Sequence, residues 1–288
     1  MTKENQAIRE RLGQLKRLGW NAYEQAFSQG YACLDTARGH FLEAEALARS
    51  GGDPSLLIGV LSGLGAVARA SGQPQEVERA LHYYWEEVDI LRELGHELEA
   101  ADLHAEIEAV YRDLAALMPD RALRFLKEGL DAGIKALEMI KRHQNRFVMA
   151  RVGNAVADIC QVLSDYDTDY REFHLQMAAD LYRQGLETWS EQEEGQAVAR
   201  MGLAEVYLRM GKNLDAADVL LDEALGIYTS LPGQRVDYQI AQIHTLKGQL
   251  MATQGKPEDA KEKLRQAITM FRKLGIEFPP RDERGCDR

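Results

Sequence analysis

Residues 248–267, GQLMATQGKPEDAKEKLRQA, decide the fold. Gly248 and Gly255 stand seven positions apart, Pro257 follows, and Ala260, Leu264 and Ala267 recur at four- and three-residue steps. Glycine ends a helix because it accepts the left-handed C-terminal conformation at little cost. Proline just beyond opens the next helix, where its missing N–H is an orphan anyway. The stretch therefore reads as two helices joined by a tight turn. Its small residues mark where the two helices come close.

The same spacing recurs outward from this stretch. Gly65, Gly72, Pro74, Val77 and Leu81 repeat it, and Ala204, Tyr207, Gly211, Ala217, Leu221 and Ala224 repeat it with a turn one residue longer. Leu203-Ala204 and Val152-Gly153 place a small residue after a larger apolar one. Elsewhere the period is also helical: Leu98, Ala101, Ala105, Val110 and Leu114 recur at three- and four-residue steps with acids between them. Alternating Val/Ile/Thr runs and Asn-Gly or Asp-Gly hairpin turns are absent. Eleven breaks, from Gln29-Gly30 to Gly255-Lys256-Pro257, predict twelve helices of about 17 to 24 residues joined by short links. Short links force antiparallel neighbours, hence six helical hairpins.

These residues resemble the tetratricopeptide repeat (TPR) family: a Leu-Gly or Leu-Ala pair, an aromatic three residues on, a turn glycine, then Ala, a large apolar residue and Ala. The clearest repeats are 54–94, 192–229 and 241–274. The first hairpin, 5–49, is atypical, the repeat spacing is longer than the family's, and Lys247 replaces an expected apolar residue. The resemblance implies an all-α, right-handed superhelical solenoid forming a single domain over 1–276, capped by the helix at 257–273, with a flexible polar tail at 277–288.

Composition limits the function. The chain has 288 residues, a net charge of −11, seven prolines and three cysteines. Ample apolar material supports a continuous core, and the acidic balance argues against nucleic-acid binding. The N-terminus is polar and does not read as a secretory signal. The longest uncharged stretch, 54–68, is too short to span a bilayer. An odd cysteine count without close pairs points to a reducing cytoplasm. Charge is segregated: 76–119 carries twelve acids and three bases, and 120–151 carries eight bases and four acids. As neighbouring turns, the two segments would favour a partner of matching polarity.

Motifs for chemistry are weak. Asp165, Asp167 and Asp169 have calcium-loop spacing, but Tyr170 stands where such a loop needs Gly. Glu97, His104 and Glu108 share a helical face, yet a surface reading is favoured over a metal. Gly59, Gly63 and Gly65 read as close helix packing inside one helix, because no strand precedes them. Cys33 and Cys160 read as core residues, and Cys286 as exposed. Catalysis, cofactors and metals are not expected.

In TPR proteins the concave face is lined by the first helix of each hairpin. Carried over, that face holds Phe147, Arg151, Asn154 and Asp158 in 145–163, Met201, Glu205 and Arg209 in 192–210, and Gln242, Thr245 and Gln249 in 234–254. Asn154 stands where peptide-binding members keep an Asn for the ligand backbone, and Arg151 is placed to receive a carboxylate. A non-catalytic cytoplasmic scaffold or adaptor is expected, binding a protein or peptide segment in its groove, with no nucleic acid or membrane partner. The alternatives are a sensor that binds a small ligand and a module that forms homo-oligomers. Changing Arg151 and Asn154 together is expected to abolish partner binding without altering the melting temperature.

Overall fold

In a computed structural model, residues 3–29, 32–189, 193–231 and 234–275 are described; the expected tail 277–288, with Cys286, lies outside them. Each sequence break within the described residues falls at a helix end. The twelve helices among the described residues are α1 (Lys3–Gln29), α2 (Ala32–Ser50), α3 (Val60–Ala70), α4 (Pro74–Glu93), α5 (Glu97–Leu117), α6 (Ala122–His143), α7 (Arg146–Tyr166), α8 (Arg171–Thr188), α9 (Glu193–Met210), α10 (Leu214–Ser230), α11 (Gln234–Thr253) and α12 (Pro257–Lys273). Gly255, at φ 76°, closes α11 in the expected way. The Lys256 amide donates back to the Met251 carbonyl at 2.8 Å, satisfying an orphan acceptor.

The fold is all-α, built of consecutive antiparallel hairpins. Two compact units divide between Thr188 and Trp189. The first contains the hairpins α1–α2, α3–α4, α5–α6 and α7–α8, and the second α9–α10 and α11–α12. No composition shift marks the division in the sequence. In the first unit the odd-numbered helices are linked side by side, α1 along α3, α3 to α5 through Arg69, and α5 along α7, while α2, α4 and α6 each pack on their own odd partner and on the next odd helix. Ile107, Val110 and Leu114 of α5 share one core with Phe125 and Leu126 of α6 and Ile159 and Leu163 of α7. No described helix is long and apolar enough to cross a membrane.

Close approach is the recurring device. The Phe41 ring is fully buried between Gly19 of α1 and Gly63 of α3. A Cβ on Gly19 would stand 2.7 Å from that ring, and one on Gly63 would overlap it. Gly65 is pressed against Tyr84, and Gly248 against Leu264. The aligned copies therefore differ by about one turn in the residue that fills the gap.

Two expectations change. Gly59 lies outside the helix that holds Gly63 and Gly65. Pro54–Leu57 form a 3-10 turn capped by Asp53, and Gly59 sits at φ 74° before α3. Its amide donates to Glu87 of α4 at 2.9 Å, and the Ser62 hydroxyl donates to the same carboxylate at 2.7 Å. A side chain from another helix thus caps α3, which shortens to 11 residues. In the second unit, the unexpected Lys247 is buried and its ammonium reaches Asp218 at 2.9 Å and Asp222 at 2.7 Å. Its charge is paired across α10 and α11 where the pattern would place a hydrocarbon.

Gly63→Ala is expected to destabilise the chain by about 1–3 kcal/mol through overpacking against Phe41. Gly39→Ala, in open space inside α2, is expected to stabilise it by about 0.5–1 kcal/mol. Urea unfolding measures both.

Candidate functional site

The predicted groove residues fall in both units. In the first, Asn145 caps α7 by accepting the Val148 amide at 3.0 Å. This sets Phe147, Arg151, Asn154 and Asp158 along the helix at steps of four, three and four. Phe147 is 49% exposed. Arg151 is engaged within the chain: its guanidinium holds Asp102 through Nη1 and Glu106 through Nη2, the latter at 2.8 Å, both on α5. Asp158 pairs with Arg112 of α5 at 2.8 Å and accepts the Tyr182 hydroxyl from α8. Asn154 is buried, and its Oδ1 lies over Gly185 of α8, where a Cβ would stand 2.7 Å from it.

Arg69 of α3 extends the α5 pairing. It donates to Asp113 at 2.6 Å and to Glu106 at 3.4 Å. Glu106 therefore lies between two arginines from two different helices. The result is a polar stripe across α3, α5 and α7: Asp113, Arg69, Glu106, Arg151, Asp102. Burial raises the Asp102 carboxyl above its usual range despite Arg151. Burial works against the Arg69 charge, and Asp113 and Glu106 more than offset it. The side chains are about one-third exposed, so each pair contributes about 0–1 kcal/mol. The stripe fixes register and geometry more than it supplies stability.

Reasoning from the sequence missed Arg69, Asp102, Glu106, Arg112 and Asp113. The available signal was the acidic 76–119 segment against the basic 120–151 segment. Much of that complementarity is spent internally. Arg121 reaches Glu78 at 3.5 Å and His143 reaches Glu97 at 2.9 Å, besides the Arg151 pairs.

In the second unit, Met201 is half-buried, and Glu205 and Arg209 pair with each other along α9 at 2.9 Å. On α11, Gln242 donates to the Tyr238 hydroxyl at 3.2 Å, Thr245 donates to the Ala241 carbonyl at 3.0 Å, and Gln249 is exposed.

The other motifs find plain uses. Asp167 is bound by Lys127 at 2.9 Å and lies 3.5 Å from His174, while Asp165 accepts from Arg171. Of the trio Glu97, His104 and Glu108, the last two are buried rather than surface-facing. Among the described residues, no group of three or more His, Cys, Asp or Glu side chains is placed to hold a metal. Cys160 is buried, and burial raises its thiol to about 12, which keeps it protonated. Tyr84 is core, with Tyr83 and Trp85 half-buried beside it.

No protein-family model and no curated protein sequence matches the chain. Among solved structures, BtubC (BKLC) from P. vanneervenii is 20% identical over 78% of this chain and 94% of its own, with a TM-score of 0.46. The de novo designed helical repeat protein DHR64 is 17% identical over 94% of this chain and 97% of its own, at 0.22. A chain from the computational design of self-assembling cyclic protein homooligomers is 12% identical over 94% and 98%, at 0.18.

Because Arg151 and Asn154 serve α5 and α8, changing them reaches the fold itself. Arg151→Ala is expected to lower stability by about 1 kcal/mol. The loss should shrink in 1 M salt, where the Debye length is about 3 Å, as read by urea unfolding at two ionic strengths.

Proposed function

We propose that the chain is a non-catalytic, cytoplasmic interaction scaffold of TPR-like hairpins, binding a peptide or protein segment on its odd-helix faces. The observation that carries this reading is the stripe on α3, α5 and α7. Five charged side chains from three helices are held in place by one another, and the exposed Phe147 stands one turn before Arg151 on α7. A partner meeting such a face loses little side-chain entropy on either charge, because the geometry is already set. The exposed aromatic offers the apolar contact that concentrates binding energy at interfaces. The TPR reading itself is supported by the burial of its small-residue positions: Ala204, Ala217, Ala224, Ala260 and Ala267 are all in the core.

The test is affinity capture from the source lysate with wild type and Phe147→Asp. Residue 147 lies in the first turn of α7, where a carboxylate suits the helix dipole, so the variant should keep its circular dichroism and melting temperature. A partner captured by wild type and weakened at least tenfold by the variant is the expected result. Equal capture by both would move the interface off this face.

A further inference from the structure

Two buried, ionisable side chains on α5 lie one turn apart, outside the ion-pair stripe. His104 is 1% exposed, and neither ring nitrogen has a hydrogen-bond partner. Its imidazole meets the Trp85 ring of α4 edge to face, centroids 5.2 Å apart. Glu108 is 0% exposed, and neither carboxyl oxygen has a partner. It lies against Gly133 of α6, where a Cβ would overlap both it and Val156 of α7. The charged or titratable groups that face the pair are Arg92 from α4, Arg112 from α5 itself, and Asp158 and Cys160 from α7. Arg112 pairs with Asp158 through Nη1, and its buried Nε has no hydrogen-bond partner. At Gly133, α6 brings no side chain at all. A charge on either residue would be buried without a hydrogen bond, which is costly in a low-dielectric interior.

We propose that His104 and Glu108 form a proton-gated latch: α5 stays seated against α4, α6 and α7 only while both side chains are uncharged. Burial supports this from both sides, lowering the His104 imidazole to about 4 and raising the Glu108 carboxyl well above its usual range. The signs follow from proton uptake. The neutral folded His104 binds fewer protons than the unfolded chain between pH 4 and 6.5, so its contribution is lost as pH falls through that range. The protonated folded Glu108 binds more than the unfolded chain above pH 4.5, so its contribution is lost as pH rises. The two slopes oppose each other between pH 4.5 and 6.5, and above that range only the Glu108 loss continues. The same helix carries Asp102, Glu106 and Asp113 of the proposed interaction face. Control of that face by pH therefore rests on the scaffold reading, whereas the latch does not.

The test needs no partner. Amide hydrogen exchange of α5 peptides in the full chain is followed by mass spectrometry from pH 4 to 9 and corrected for the intrinsic exchange rate. Wild type is compared with Glu108→Gln and with His104→Phe. Relative to wild type, α5 protection in Glu108→Gln is expected to grow as pH rises above 4.5, by up to about tenfold per pH unit. In His104→Phe it should grow as pH falls from 6.5 toward 4. Peptides from α11 should show neither trend. Should Glu108→Gln not fold, Glu108→Leu, which leaves Gly133 in place, is compared in the same way. Variant-to-wild-type ratios that do not change with pH would overturn the latch, whatever is found for partner binding.

Discussion

A phenyl ring seated between two glycines sets the helix spacing on which the start of this fold depends. Phe41 comes from α2, and its two seats, Gly19 and Gly63, belong to α1 and α3, so one side chain joins two successive hairpins. The pairing recurs with other partners: Tyr84 on Gly65, Ile159 on Gly129, Glu108 on Gly133, Asn154 on Gly185 and Leu264 on Gly248. A helical hairpin cannot bury its apolar stripe alone. Stacking solves that only if backbones come close enough for large side chains to reach across. Glycine permits the approach, and the large residue fills the space it leaves.

Once the spacing is fixed, electrostatics is confined to what it allows. Among the odd-numbered helices of the first unit, arginines from α3 and α7 converge on carboxylates of α5. The same α5 carries His104 and Glu108 with no polar partner. One helix thus has carboxylates satisfied by neighbouring arginines on one side and ionisable groups that must stay neutral on the other. In the second unit the burden falls on Lys247, which keeps its charge because two aspartates meet it. Buried ionisable groups persist here by neutralisation or by pairing.

The helix count, the turns and the hairpin order were legible in the sequence, because glycine and proline act locally and the apolar period is helical throughout. The start of α3 was not. It depends on Glu87, 28 residues beyond Gly59, and no local pattern announces a cap supplied from another helix. Nor was the division after Thr188, which follows from which helices pack on which. At the candidate site, the sequence did not say which groups the named side chains would meet. Arg151 is fit to receive a carboxylate, and the carboxylates it receives are Asp102 and Glu106 of its own chain. The segregated charge of 76–151 contained that information, but only the hairpin geometry says which turns face each other. The same limit explains Glu108, whose surrounding acids suggest a surface helix while its own position is fully buried.

The most direct measurement of the close-packing account is a double-mutant cycle on Gly63→Ala and Phe41→Leu, read by urea unfolding. If the ring occupies the space that glycine leaves, shortening it should relieve the added methyl. The double variant is then less destabilised than the sum of the single ones by at least about 1 kcal/mol. Additivity within about 0.3–0.5 kcal/mol would contradict the claim that this contact sets the helix spacing.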